Sequence, residues 1–134
     1  MSVEAQAILF IHGIGGAGRA WARQVASFAA AGFAPQAPDL PGYGGRPPVP
    51  AMHFESLAED AEAFAAQHHM RRPVLVGHSM GGMVAQTMLR RRPEGYAAAV
   101  LAATSPAFGN ADGGFQKKFI ADRLGPLDAG KTMA

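Results

Sequence analysis

A serine bracketed by glycines, Gly77-His78-Ser79-Met80-Gly81, stands between the apolar run Pro73-Val74-Leu75-Val76 and a helix-forming segment, Met83 to Arg92. A strand entering a helix through so few residues must turn sharply. Gly77 and Gly81 then mark places where a side chain would collide with neighbouring backbone. Ser79 is left exposed at the apex, and the turn aims the backbone N–H of Met80 at any carbonyl that the hydroxyl attacks. The chemistry such a turn supports is nucleophilic attack on an acyl carbon. The alternative is a glycine-rich turn with a solvated serine, and it is the strand before and the helix after that separate the two.

The elements that must position this turn are legible along the chain. Ala7 to Ile11 is a continuous apolar run ending at His12-Gly13, as expected of a strand buried on both faces of a parallel sheet. A glycine-rich loop, Gly13 to Gly18, follows. From Arg19 the spacing predicts a helix with Trp21, Val25, Phe28 and Ala29 inward, capped at its C-terminus by Gly32. Phe33 to Pro38 is the next candidate strand, closed by the turn Asp39-Leu40-Pro41-Gly42-Tyr43-Gly44-Gly45. A proline-rich surface loop, Arg46 to Pro50, leads to a helix with Leu57, Ala61, Phe64 and Ala65 inward. Ser56 and Glu59 have capping-box spacing or lie in its first turn, and it ends near His68-His69.

After the serine turn and its helix, Pro93 is a stop, and Ala97 to Ala103 reads as a fourth buried strand ending at Thr104-Ser105-Pro106. Gly109 to Gly114 reads as a flexible stretch, and Phe115 to Leu124 as a short helix. The expected fold is therefore α/β, a parallel sheet of about four strands with helices on both faces. Sites in such sheets lie at the carboxyl ends of strands, where Ser79, His12-Gly13, Asp39 and Thr104-Ser105 all fall.

The 134 residues carry a net charge of +2 and no cysteine. One domain is expected. A disulfide framework and a thiolate metal site are excluded, and the scattered Lys and Arg argue against nucleic acid as a partner. No signal-peptide pattern or membrane-length apolar run is visible, so the expectation is a cytoplasmic chain without a membrane partner. Arg71-Arg72 and Arg90 to Arg92 read as solvated charge at helix ends. The adjacent His68-His69 point apart and make a poor ligand pair, so no metal is expected. His12 is expected to shape its loop, and His78 to pack beside the turn.

These residues resemble the alpha/beta-hydrolase superfamily from about Ala7 to Ala107. His12-Gly13-Ile14-Gly15-Gly16 looks like the loop that supplies one oxyanion-hole amide. Asp39-Leu40-Pro41-Gly42-Tyr43-Gly44 looks like the turn after the next strand, and Gly77-His78-Ser79-Met80-Gly81-Gly82 looks like the nucleophile elbow. The resemblance implies residues 1–106 as the N-terminal part of a hydrolase core and 107–134 as the start of a helical cap, as in esterase- and lactonase-like members such as 3-oxoadipate enol-lactonases. It implies Ser79 as nucleophile, with the N–H groups of Met80 and Ile14 forming the oxyanion hole. The substrate would be a small carboxylic ester or lactone, with no cofactor.

In that family an acid and then a histidine follow the serine, yet no histidine follows Ser79 here, and Asp112, Asp122 and Asp128 read as solvated acids. The resemblance therefore places the acid and histidine outside this chain, on a second polypeptide or the remaining half of the same enzyme, and predicts that the chain alone is inactive or nearly so. Two other readings compete. One is an inactive half-domain serving as scaffold or assembly fragment. The other is dinucleotide binding through Gly13-Ile14-Gly15-Gly16-Ala17-Gly18, a G-x-G-x-x-G after a strand with Asp39 about 20 residues on.

Overall fold

The computed structural model describes residues 4–106, 113–114, 117–118 and 121–122. The described chain alternates strand and helix: β1 (Ala7–Ile11), a 3-10 turn (Gly18–Trp21), α1 (Ala22–Ala30), β2 (Ala34–Gln36), α2 (Phe54–Gln67), β3 (Val74–His78), α3 (Met80–Arg91), a second 3-10 turn (Pro93–Gly95) and β4 (Ala98–Ala102). The four strands form one parallel sheet in the order β2-β1-β3-β4. Leu9 lies opposite Gln36 on one side and Leu75 on the other, and His78 lies opposite Ala102.

Strand residues alternate between two covered faces. On one, Leu9, Ile11 and Leu75 pack with Leu57, Ala58 and Ala61 of α2 and with Val84, Ala85 and Met88 of α3. On the other, the Phe10 ring meets Trp21 at 4.9 Å and Phe28 at 5.9 Å between centroids. The helices thus lie on both faces, as the unbroken apolar run of β1 requires, and all five residues of that strand are buried. Of the two aromatics on the α1 side, Trp21 is half-buried, whereas Phe28, expected inward, is 39% exposed. Val25 is only half-buried there and Ala29, expected inward, is exposed.

Several sequence expectations shift. The fourth strand is in place but is not buried: Val100 is 52% and Leu101 43% exposed. β4 is the sheet edge, so half of each residue's surroundings is missing among the described residues. Helix α3 begins at Met80 rather than Met83, because the Ser79 carbonyl accepts from the N–H groups of Gly82 and Met83 and starts the helix within the turn. The first turn of the segment from Arg19 is 3-10, and β2 shrinks to three residues around Pro35, which lacks a ladder donor.

The cap of α2 also moves upstream. His53 is the N-cap: its Nδ1 accepts from Ser56 N–H and its own N–H donates to Ser56 Oγ, each at 3.1 Å, so Ser56 occupies the third helical position and Glu59 takes no part. Nor is the Arg90-Arg91 pair merely solvated. Arg90 and Arg91 both bond Glu55, and Arg91 also bonds Glu62 at 2.9 Å, joining α3 to α2 across their outer surface. The bonds to Glu62 and then Glu55 hold the Arg91 guanidinium protonated beyond its ordinary range. Arg72 donates to the carbonyls of Glu94 and Tyr96.

In the expected helix Phe115–Leu124, residues Lys117, Lys118, Ala121 and Asp122 are helical, and Asp122 pairs with Lys118 at 2.7 Å. The rest of that helix, Asp112, Asp128 and most of the expected cap segment 107–134 lie outside the described residues. No helix among those described is long and apolar enough to cross a membrane.

Candidate active site

Ser79 sits between β3 and α3 with φ 53° and ψ −118°. A non-glycine residue in that region carries about 1–3 kcal/mol of strain and persists only where its surroundings dictate it. Here they do. The Ser79 N–H donates to the Ala102 carbonyl at 2.9 Å, and the Ser79 carbonyl accepts from Gly82 N–H at 2.9 Å and Met83 N–H at 3.3 Å. The same carbonyl also accepts from Thr104 Oγ1 at 2.7 Å.

The two glycines of the turn are there for space. A Cβ on Gly77 would come 2.5 Å from the Gly81 carbonyl oxygen, and one on Gly81 would run into the carbonyls of Ile11 and His12. β1, β3 and α3 therefore approach one another backbone to backbone beneath the serine.

The loop after β1 lies directly against this turn: a Cβ on Gly13 would be 3.2 Å from both Ser79 Cβ and the His78 carbonyl. His12, 2% exposed, anchors the loop from below. Its Nε2 accepts from Leu40 N–H at 3.0 Å, and its Nδ1 is 2.9 Å from the Gly13 carbonyl. Only the neutral ring carrying its proton on Nδ1 satisfies both bonds. Both nitrogens are thereby occupied, which makes His12 a structural tie between the loop and the turn at 39–44, as expected of it. The ring edge meets Tyr43 at 4.8 Å.

Asp39 serves the same loop: its Oδ1 accepts from Gly18 N–H at 2.7 Å. Arg46 fastens the turn from outside, donating to the Asp39 carbonyl at 2.7 Å and in a two-point bond to Asp60 at 3.0 and 2.8 Å. The bond to Asp60 raises the guanidinium pKa. One oxygen of Asp39, the acid that the dinucleotide reading invokes, is engaged by Gly18 within the loop itself.

The backbone N–H groups of Ile14 and Met80, on either side of the contact between Gly13 and Ser79, have no acceptor among the described residues. The Ile14 side chain, 63% exposed, turns to solvent. Ser79 Oγ likewise bonds to none of the described residues, so the hydroxyl has no base beside it within them. His12, Gly13, Ile14, Gly16, Trp21 and His78 border a cleft of about 400 Å³ next to the turn. The Trp21 indole N–H is buried without an acceptor among the described residues. Among the described residues no group of three or more His, Asp or Glu could hold a metal.

The structure thus brings Ser79, Met80 and the Gly13-Ile14 peptide together on one sheet edge. It also brings in Thr104, whose part sequence reasoning missed. A signal for it was present: a Cβ on Gly82 would fall 2.6 Å from the Thr104 side chain, so the second glycine of the Gly81-Gly82 pair marks where that side chain lies.

Residues 8–133 match the alpha/beta hydrolase family. The chain is similar to the protein named Probable esterase PIR7A of Oryza sativa subsp. indica, 41% identical over 106 residues that make up 75% of this chain and 40% of that protein. It is similar to the pimeloyl-acyl-carrier-protein methyl ester esterase of Chromobacterium violaceum, 35% identical over 101 residues, 75% of this chain and 38% of that protein. It superposes on the esterase EaEST of Exiguobacterium antarcticum with a TM-score of 0.82 at 22% identity, over 93% of this chain and 49% of that one, a likeness of fold. The chain therefore spans about two fifths of these sequence relatives and about half of the solved esterase.

Proposed function

The chain belongs to the alpha/beta hydrolase family, and from that membership we propose that it carries the nucleophile and oxyanion elements of a serine hydrolase acting on a carboxylic ester or lactone through an acyl-enzyme. Ser79 attacks the acyl carbon, and the N–H groups of Met80 and Ile14 receive the oxygen that becomes negative. A histidine and an acid beyond these 134 residues take the serine proton and pass it to the leaving group. The carrying observation is the backbone of Ser79, held at φ 53° by four hydrogen bonds beside two amides with no acceptor among the described residues. Relatives named as esterases support the ester as substrate class. No cofactor enters this scheme.

Without its base the serine is a weak nucleophile. The oxyanion amides and binding alone leave about 10³- to 10⁴-fold over water in triad enzymes stripped of the triad. The 134-residue chain by itself is therefore inactive or nearly so in turnover. Ser79 Oγ, without a partner among the described residues, favours, as a second reading, a half-domain that serves assembly alone.

Ester hydrolysis separates these readings when measured on the purified 134-residue chain and on the protein that also contains the downstream acid and histidine. Turnover in the second only, abolished by Ser79→Ala, is expected. Enzyme-like turnover by the pure short chain, abolished by Ser79→Ala, would overturn the placing of the base outside it. Turnover of the longer protein that survives Ser79→Ala would overturn the nucleophile, and no turnover by either would leave the assembly reading.

A further inference from the structure

The amides of Met80 and Ile14 each share a planar peptide unit with a carbonyl that a side chain grips from behind. The N–H of Met80 and the C=O of Ser79 belong to one peptide, and that C=O accepts from Thr104 Oγ1 at 2.7 Å. The N–H of Ile14 and the C=O of Gly13 belong to another, and that C=O accepts from His12 Nδ1 at 2.9 Å. In a trans peptide the N–H points opposite to the C=O and cannot rotate independently of it. Fixing the carbonyl therefore fixes the direction of the amide. A hydrogen bond accepted at the oxygen also polarises the unit and makes its N–H the stronger donor.

We propose that Thr104 and His12 are positioning residues, each aiming and polarising one oxyanion amide through the carbonyl of the same peptide. The inference rests on the assignment of Met80 and Ile14 as oxyanion donors, and it gives two side chains that touch no substrate a defined part in the reaction. The two grips have matching backbone partners: Gly82 N–H also bonds the Ser79 carbonyl at 2.9 Å, and Gly16 N–H bonds the Gly13 carbonyl at 3.1 Å. Each carbonyl thus has a backbone donor that closes its turn and a side-chain donor that ties it to another part of the fold. Thr104 brings in the end of β4. His12, through its Nε2, brings in the turn at Leu40. Thr104 is the more specific of the two, because its methyl and hydroxyl fill the space that Gly82 leaves open, so the hydroxyl has one place to go.

The test uses the 134-residue chain labelled with ¹⁵N and ¹³C, in wild type, Thr104→Val and Thr104→Ser. Valine keeps the shape and removes the donor, whereas serine keeps the donor. The Met80 amide proton is expected to move upfield in Thr104→Val and return in Thr104→Ser, while Ile14 stays in place. In wild type, exchange of the Thr104 hydroxyl for deuterium should shift the Ser79 carbonyl carbon, which decides the matter should Thr104→Val not fold. Ring nitrogen spectra should show His12 neutral with its proton on Nδ1.

Acetylation of Ser79 by 4-nitrophenyl acetate, followed by mass spectrometry, is expected to slow about tenfold in Thr104→Val and to recover in Thr104→Ser. An unmoved Met80 proton, an isotope-silent Ser79 carbonyl, or a His12 proton on Nε2 overturns the corresponding grip. A moved Met80 proton together with turnover of the longer protein that survives Ser79→Ala leaves the grip standing and overturns the serine chemistry instead, so the two failures are distinct.

Discussion

Replacing Ser79 by glycine should make the protein more stable while removing the proposed nucleophile. With φ 53° and ψ −118°, the serine occupies a region that side chains avoid, at about 1–3 kcal/mol. Glycine reaches the same angles without that cost but loses more chain entropy on folding, about 0.5–1 kcal/mol. The difference favours Ser79→Gly by roughly 0–2.5 kcal/mol, about 1 kcal/mol at mid-range. All four backbone hydrogen bonds at the position survive the change, since none uses the hydroxyl.

For a chain of this length, 1 kcal/mol corresponds to roughly 3–4 °C in Tm, so the mid-range expectation is a rise of about 3–4 °C. Ser79→Ala is the control. It keeps the Cβ and hence the strain, and removes only an oxygen without a partner among the described residues. It should therefore unfold within about 0.5 kcal/mol of wild type. Urea unfolding or scanning calorimetry of the three proteins decides it. A Ser79→Gly protein no more stable than Ser79→Ala would refute the argument that the turn stores strain at its apex.

Other substitutions test the surroundings of the site. Gly81→Ala drives a Cβ into the Ile11 and His12 carbonyls and should lose about 2–3 kcal/mol in urea unfolding, or fail to fold; a near-neutral result would mean that β1 and α3 can part without cost. His53→Ala should lose about 1 kcal/mol by removing the α2 cap, whereas Glu59→Ala should not. Equal losses in that pair would return the cap to the Ser56-Glu59 spacing. Val100 and Leu101 on the edge strand are substantially exposed, so Val100→Lys with Leu101→Lys should reduce concentration-dependent association in light scattering. Unchanged scattering would place any self-contact elsewhere.

What the sequence disclosed was whatever depends on neighbours in the chain. The five-residue apolar β1 announces a strand covered on both sides, and Gly77 and Gly81 announce close backbone approach because nothing larger fits. Charged pairs between distant segments left no such trace. The Arg91–Glu62 pair depends on α2 and α3 packing side by side. The burial of β4 depends on coverage from outside the strand, so an alanine-rich run reads the same whether covered or bare. The His53 cap was missed for a different reason: a ring nitrogen can stand in for the usual hydroxyl or carboxylate, but only its geometry reveals that.

The same contrast divides the proposed chemistry. Everything that shapes the oxyanion amides lies within residues 7–104: β1 and its loop, the 39–44 turn that holds His12, the elbow, and the end of β4 that holds Thr104. What would activate the hydroxyl lies elsewhere. Preorganised donors act on charge that develops at the substrate oxygen, whereas a base acts on the proton of the nucleophile, and these are separate contributions to one barrier. A fold that completes the first without the second should still favour esters whose leaving group departs without a proton, such as 4-nitrophenyl esters, over alkyl esters that need one. Comparing acetylation of Ser79 by aryl and alkyl acetates in the 134-residue chain measures that separation. A negligible preference beyond that of hydroxide in water would mean that the two amides, though free, are not held where an oxyanion forms.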